Sequence, residues 1–296
     1  MSLTPLDKRF LWQSFQRAAA SYDRHAVLAQ AVGGRLLERV EYLRSEPAGV
    51  LDLGCATGRL CLELKKRFPG ARVIGLDWAP AMLALAGRGQ AAGQGPLRLC
   101  ADMHAVPLAG QSLDLVCSNL ALSWSRDIPA LFGEMRRLMR PGAMFVFTCF
   151  GPDTLSELKR AWSSVDDLPH SYDFPDMHDI GDELIAAGFR EPVMEAEHLL
   201  LEYRELRRLL DDLKGSGGRN AALERRRTLT GKARFEGMRR AYETKAGGGI
   251  WPASYEIIYG TAFAPGEGQP VRTTGGDVAT FSIDSLKGSL DSGRKT

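Results

Sequence analysis

Two glycines and three carboxylates of this chain stand at or just beyond the ends of short apolar runs. Gly54 and Gly58 lie in the stretch Val50-Leu-Asp52-Leu-Gly54-Cys-Ala56-Thr-Gly58, between an apolar run and residues of helical spacing. That pattern predicts a strand, a tight turn and a helix. Without a Cβ, Gly54 and Gly58 let the backbone bend sharply and let a ligand approach amides at the start of a helix. Asp52 ends the strand ahead of the turn. Asp77, followed by Trp78, ends the next apolar run, at the spacing of about 20 residues where a carboxylate meets both hydroxyls of a ribose. A solvated helix cap ahead of Pro80 is the plainer reading of Asp77, and the order strand, acid, helix weighs against it. Asp102 and Met103 end a third run, where a carboxylate can accept from an adenine amino group and a thioether can lie against the ring. Ser118 and Asn119 end a fourth, with Trp124 close behind.

Stepping outward, apolar runs at 48–53, 71–76, 97–100, 113–118 and 143–149 alternate with helical stretches at 58–67, 80–88 and 128–140. Such alternation predicts parallel βαβ units in a doubly wound α/β sheet, whose ligands bind beyond the carboxyl ends of the strands. Arg140-Pro141-Gly142 reads as the stop of the third of these helices and a plain connection to the next strand. Residues 4–44 read as two helices broken near 20–25, either a packing pair on the sheet or a lid. After Gly151 come a helix and a loop carrying His170 and His178, then a helix at about 179–187 and a strand near 192–201. Loop histidines suit general-base work but more often serve as surface or hydrogen-bonding groups. Residues 255–263 read as a strand returning to the sheet. From 265 to 296 the Gly, Ser and Thr content predicts a mobile tail, leaving one domain over 1–264.

Composition narrows the classes. The chain has 296 residues, 44% of them hydrophobic, enough for a substantial core. A net charge of +2 argues against a protein coated for nucleic acid. The charge is segregated, however: residues 203–245 hold thirteen Lys or Arg against six Asp or Glu. This is either a solvated helical face or a docking surface for an acidic partner. Cys55, Cys61, Cys100, Cys117 and Cys149 form no C-x-x-C pair and no nearby ligand set completes a tetrahedral zinc site, so they read as reduced thiols and no metal is expected. No signal-peptide core and no apolar run of membrane-spanning length is present, which predicts a soluble cytoplasmic protein.

A dinucleotide is disfavoured because the glycines, at 54 and 58, lack the G-x-G-x-x-G spacing. Residues 50–58 with Asp77, Asp102 and Asn119 instead resemble the successive motifs of class I S-adenosylmethionine-dependent methyltransferases, over about 48–150. That likeness implies a mostly parallel seven-stranded, Rossmann-like sheet. A narrower likeness covers nearly the whole chain. Phe15-Gln-Arg-Ala-Ala-Ala-Ser-Tyr22-Asp, Ser118-Asn-Leu-Ala-Leu-Ser-Trp124, Pro169-His170, Asp212-Leu-Lys-Gly-Ser-Gly-Gly-Arg-Asn220, Leu229-Thr-Gly-Lys and Pro252-Ala-Ser-Tyr-Glu256 resemble the malonyl-acyl-carrier-protein O-methyltransferase family of biotin synthesis.

This resemblance implies methyl transfer from S-adenosylmethionine to the free carboxylate of a malonyl thioester. It implies that Gly54, Ala56 and Gly58 make room for the methionine portion, that Asp52 helps hold its ammonium group, and that Asn119 orients that end. Asp77 with Trp78 would meet the ribose, and Asp102 with Met103 the adenine. Tyr22 on the N-terminal lid (1–45) and Trp124 would close over the methyl, with His170 as a partner for the substrate carboxylate. An arginine is expected to neutralise that carboxylate, and the basic insertion at 203–249 to meet the acidic acyl-carrier protein, Arg225, Arg226 and Arg227 among its contacts. Ala56 replaces the glycine usual in the family's turn, which is harmless at negative φ and strained at positive φ. Rival readings of the scaffold are an arginine hydroxylase of a respiratory-complex subunit and a non-catalytic assembly factor.

Overall fold

The structure is a computed structural model that describes residues 4–43, 45–88, 95–246, 249–266, 268, 270–273 and 276–279. Seven strands form its central sheet: β1 (Gly49–Leu53), β2 (Arg72–Asp77), β3 (Leu97–Cys100), β4 (Leu113–Asn119), β5 (Met139–Phe150), β6 (Arg190–Tyr203) and β7 (Trp251–Phe263). Their order is β3-β2-β1-β4-β5-β7-β6. The first five run parallel, β7 is antiparallel to β5, and β6 is antiparallel to β7. The expected seven-stranded doubly wound sheet is therefore present, with its two long antiparallel strands at one edge.

The pleat decides which helices cover which face, because successive side chains of a strand point to opposite sides. In β1, Leu51 and Leu53 join a core with α6 (Ile128–Leu138) and α8 (Met177–Ala186), built on Leu131, Phe132, Ile180 and Leu184. Val50 faces the other way, toward Leu36 of α3 (Val27–Arg39) and Leu60, Cys61 and Leu64 of α4 (Arg59–Arg67). Full burial of each such leucine contributes roughly 1.5–3 kcal/mol. A third core lies over β7, where Tyr255, Ile257 and Tyr259 meet Leu158 of α7 (Ser156–Ser163), Leu209 of α9 (Leu206–Gly215) and Met238 and Tyr242 of α10 (Lys232–Ala246). The basic insertion thus packs on the sheet through one apolar face.

The N-terminal segment forms α1 (Lys8–Ala18), a single turn α2 (Tyr22–His25) and α3. Asp7 caps α1, its carboxylate accepting from the Phe10 amide at 3.0 Å. Just ahead of α1 the chain is tied to the insertion. The Asp7 amide donates to the Ala221 carbonyl at 2.8 Å and the Leu223 amide to that of Pro5 at 2.8 Å. Arg225 pairs with Asp7 at 3.0 Å while its guanidinium lies 4.1 Å over the Phe10 ring.

Three expectations change. The helix expected at 80–88 is confined to α5 (Pro80–Leu83), followed by turns through Gly87 at φ +73°. Arg140-Pro141-Gly142 is no connection: α6 ends at Leu138, and Met139 already pairs with Leu113 of β4. The register then slips so that Leu115 pairs with Met144, which makes the three residues a bulge on β5 with Gly142 at φ +76°. In the segment expected as a tail, Pro270–Thr273 (β8) and Gly276–Ala279 (β9) form an antiparallel hairpin, and 280–296 lie outside the described residues. All five cysteines are free thiols, and among the described residues no helix is long and apolar enough to cross a membrane.

Candidate functional site

A cavity of about 210 Å³ opens beyond the carboxyl ends of β1, β2 and β4, roofed by the N-terminal helices and the loop after α7. Its floor is the glycine turn. The amides of Gly54 and Cys55 both donate to the Leu76 carbonyl at 2.8 Å, locking the turn to β2. A Cβ on Gly54 would stand 2.2 Å from that of Ala121, so only glycine lets the segment after β4 come this close. Ala56 has φ +47°, a left-handed conformation costing an alanine about 1–2 kcal/mol. Its amide donates to Asp77 at 2.9 Å, a bond that helps hold the strained residue in place.

Two of the turn's expected cofactor contacts sit elsewhere. Gly58, at φ +80°, does not line the cavity; its missing Cβ makes room for Ala86, which would be 2.9 Å away. Asp52 is 1% exposed and absent from the lining. It lies beneath the turn and accepts from the Cys61 thiol at 3.0 Å. With Asp77 nearby and no cation beside it, burial pushes its carboxyl up to about 7. Asp52 is therefore not among the cavity's lining residues, where the expected ammonium contact would place it.

Asp77 does line the cavity, with Trp78. It accepts from the amides of Ala56 (2.9 Å) and Ala79 (2.8 Å), and burial raises its pKa despite those bonds. The Trp78 amide also bears on it, and of a carboxylate's roughly four lone-pair sites at least one remains for a hydroxyl donor. Asp102 and Met103 line the neighbouring wall. Burial pushes Asp102 up, but the amide and ring of His104 outweigh it and hold the carboxyl below its ordinary value. The His104 ring bridges Asp102 Oδ1 at 2.7 Å and Ser125 Oγ at 2.9 Å. Asn119 also lines the cavity, yet its amide is committed: Nδ2 donates to the Ala29 carbonyl at 2.7 Å and Oδ1 accepts from Thr148 at 2.9 Å. It ties α3 to β4.

The roof brings Tyr22, Trp124 and His170 into the same lining. Burial, and then the charge of Asp77, pushes the Tyr22 hydroxyl well above its ordinary value, so it stays protonated. Trp124 sits edge-on between Phe15 (centroids 5.4 Å apart) and Tyr172 (5.3 Å). His170 stacks on Trp162 at 3.9 Å, and its Nε2 is 2.6 Å from Asp166. Asp166 also meets Arg226 at 3.4 Å and Arg234 at 3.9 Å. The lid is pinned to the turns by further bonds, from Thr57 to Asp23 (2.6 Å), from Trp12 to the Trp78 carbonyl (3.0 Å) and from the Ala81 amide to Gln16 (2.8 Å).

The expected arginine is missing from this wall. Among the described residues the lysines lining the cavity are Lys8 and Lys159, and no arginine does. Burial lowers the pKa of Lys159, and its Nζ donates to the Pro152 carbonyl at 3.2 Å. Of the basic insertion, Arg225 pairs with Asp7 and Arg226 with Asp166 inside the fold. His104, Lys159, Tyr172 and Tyr203 line the cavity without having been singled out in the sequence. The available signal for Lys159 was its place one helix beyond the carboxyl end of β5.

Residues 51–147 match the family model described as "Methyltransferase domain". The malonyl-[acyl-carrier protein] O-methyltransferase of Gallionella capsiferriformans is 43% identical, across 88% of this chain and 92% of that protein. The enzyme of the same name from Xylella fastidiosa is 40% identical, across 95% and 96%. Among solved structures, the YcgJ protein of Bacillus subtilis superposes with a TM-score of 0.57 at 13% identity, covering 78% of this chain and 97% of that one. The [4+2]-cyclase SpnF superposes at 0.51 and 18% identity, covering 80% and 83%. A cyclase on the same architecture shows that the fold alone does not name the reaction.

Proposed function

We propose a residue-level mechanism from one premise: the chain belongs to the malonyl-[acyl-carrier protein] O-methyltransferase family. It methylates the free carboxylate of malonyl-acyl-carrier protein in biotin synthesis, with S-adenosylmethionine as cofactor. The residues present suit that cofactor. The glycine turn, held close to Ala121, puts Gly54 and Ala56 in the cavity lining, and Asp77 keeps acceptor capacity facing the cavity. When bound, the cofactor supplies an electrophilic methyl group on a sulfonium.

Asp77 accepts from the ribose hydroxyls, Trp78 and Met103 flank the base, and Asp102, oriented by His104, faces the adenine amino group. Gly54 and Ala56 border the methionine portion. Asn119 and Asp52 support this end from behind, Asn119 by fixing α3 to β4 and Asp52 by filling the space beneath the turn. The malonyl carboxylate, with an ordinary pKa near 4, is already ionised at neutral pH. That ionised carboxylate would be the nucleophile toward the methyl group, and its methylation would require no proton transfer. The chain therefore needs no general base. It supplies alignment, exclusion of water by Tyr22, Trp124 and Tyr172, and a cation. Lys159 is that cation, with His170 as a hydrogen-bonding neighbour. The aromatic half of the cavity opens toward α9, whose basic face meets the acidic carrier protein in the cytoplasm.

The observation that carries this reading is one cavity lined by both Asp77 and Lys159, together with Tyr22, Trp124 and Tyr172. Mass spectrometry of malonyl-acyl-carrier protein after incubation with S-adenosylmethionine tests it. One added methyl is expected. An unchanged mass would refute it and favour the hydroxylase or assembly-factor alternatives.

A further inference from the structure

A second cavity, of about 330 Å³, lies between α1 and the end of α9. Ser14, Arg17 and Ser21 line one side, and Arg208, Lys214 and Arg219 the other. His25 and Asp212 line both this cavity and the first, and their side chains meet at 2.7 Å on the shared wall. Gly215 closes the junction: a Cβ there would come within 2.2 Å of the His25 ring.

The charge here is unbalanced. The acids in the lining already have partners, Asp212 with His25 and Asp211 with Arg207 at 3.7 Å. Among the described residues, Arg17, Arg208, Lys214 and Arg219 make no ion pair and no side-chain hydrogen bond. Four cationic side chains around one concavity repel one another unless an anion joins them. Guanidinium groups match the paired oxygens of a phosphate in particular. The cofactor has no phosphate to place there, and the site is separated from its floor by the α2 turn.

We propose that this cavity binds the phosphodiester through which a carrier protein holds its thioester arm. The inference rests on the carboxyl-methyltransferase reading above and adds a recognition site to it. The shared wall places the phosphate end of the arm next to the cavity in which its acyl end reacts. The acidic surface of the carrier then lies over the exposed face of α9. This arrangement selects for carrier-bound substrate by the linker between protein and acyl group, independently of which residues the carrier displays.

Two small substrates separate the claims: a malonyl thioester of 4′-phosphopantetheine, and the same thioester without the phosphate. The expected result is a kcat/KM at least about 10-fold higher for the phosphorylated arm, as a few exposed charge-assisted contacts would give. In the Arg208→Gln, Arg219→Gln double variant that preference falls to within about 3-fold of unity, while S-adenosylmethionine affinity by calorimetry stays at the wild-type value. Equal use of the two substrates by the wild-type protein overturns the phosphate site and leaves the methyltransferase reading standing. A preference that survives the double substitution also overturns it. Methylation of neither thioester, nor of malonyl-carrier protein, would overturn both.

Discussion

Asp52 makes the cofactor-free protein's stability fall with rising pH, and Asp52→Asn should remove that slope. Its carboxyl is held near 7 by burial, against about 4 in an unfolded chain. Between those values the folded state binds a proton that the unfolded state does not, so stability decreases as pH rises and levels off above the folded value. From pH 5.5 to 8 the group titrates through about 1.5 units below its folded pKa, and at about 1.4 kcal/mol per unit this is a loss of about 2 kcal/mol. Asparagine has the same shape and still offers an oxygen to the Cys61 thiol, but it does not titrate in this range. Urea unfolding of both proteins, followed by circular dichroism at pH 5.5, 6.5 and 8, isolates the effect, since every other titrating group is common to the pair. With a urea slope of ~3 kcal/mol/M the wild-type midpoint should fall by ~0.7 M more than that of the variant. Parallel curves for the two proteins would show that Asp52 is ionised throughout and would refute the reasoning.

Asp77→Asn should weaken S-adenosylmethionine binding by roughly 10- to 150-fold, the loss of one hydrogen bond to a charged acceptor at ~1.5–3 kcal/mol; calorimetry with unchanged affinity would remove Asp77 from the ribose site. Lys159→Gln should raise KM for a malonyl thioester by about 10-fold or more while leaving cofactor affinity within about 2-fold, and equal loss of both would mean that Lys159 serves the fold instead of the substrate.

The half of the chain that alternates strand and helix was legible because its periodicity is local. Val50, Leu51 and Leu53 announce β1 whatever lies around them, and the strand ends then mark Asp77, Asp102 and Asn119 for inspection. Arg140-Pro141-Gly142 shows where local reading fails: proline and glycine signal an interruption but do not say whether the chain leaves the sheet or bulges within it. Ala56 could be read only conditionally, since its left-handed backbone is imposed by the bonds from Gly54 and Cys55 to Leu76. The site's cation and the internal use of Arg225 and Arg226 were out of reach for another reason. Asp7 and Arg225 are 218 positions apart, and no pattern along the sequence pairs them. A count of charges in 203–245 sees all thirteen cations alike, whereas the fold spends some on itself and leaves Arg208, Lys214 and Arg219 open.

The same long-range tie has a consequence for how the protein is made. The segment around Asp7 emerges from a ribosome well ahead of the backbone partners it needs, Ala221 and Leu223, which follow about 200 residues later. At ~5–20 residues per second this is a delay of ~10–40 s, during which the segment ahead of α1 lacks its native backbone partners. The sheet through β5 can assemble meanwhile from contacts near in sequence. The Asp7 end of the roof then closes only after residue 223 has emerged, whereas Phe15 can meet Trp124 well before that.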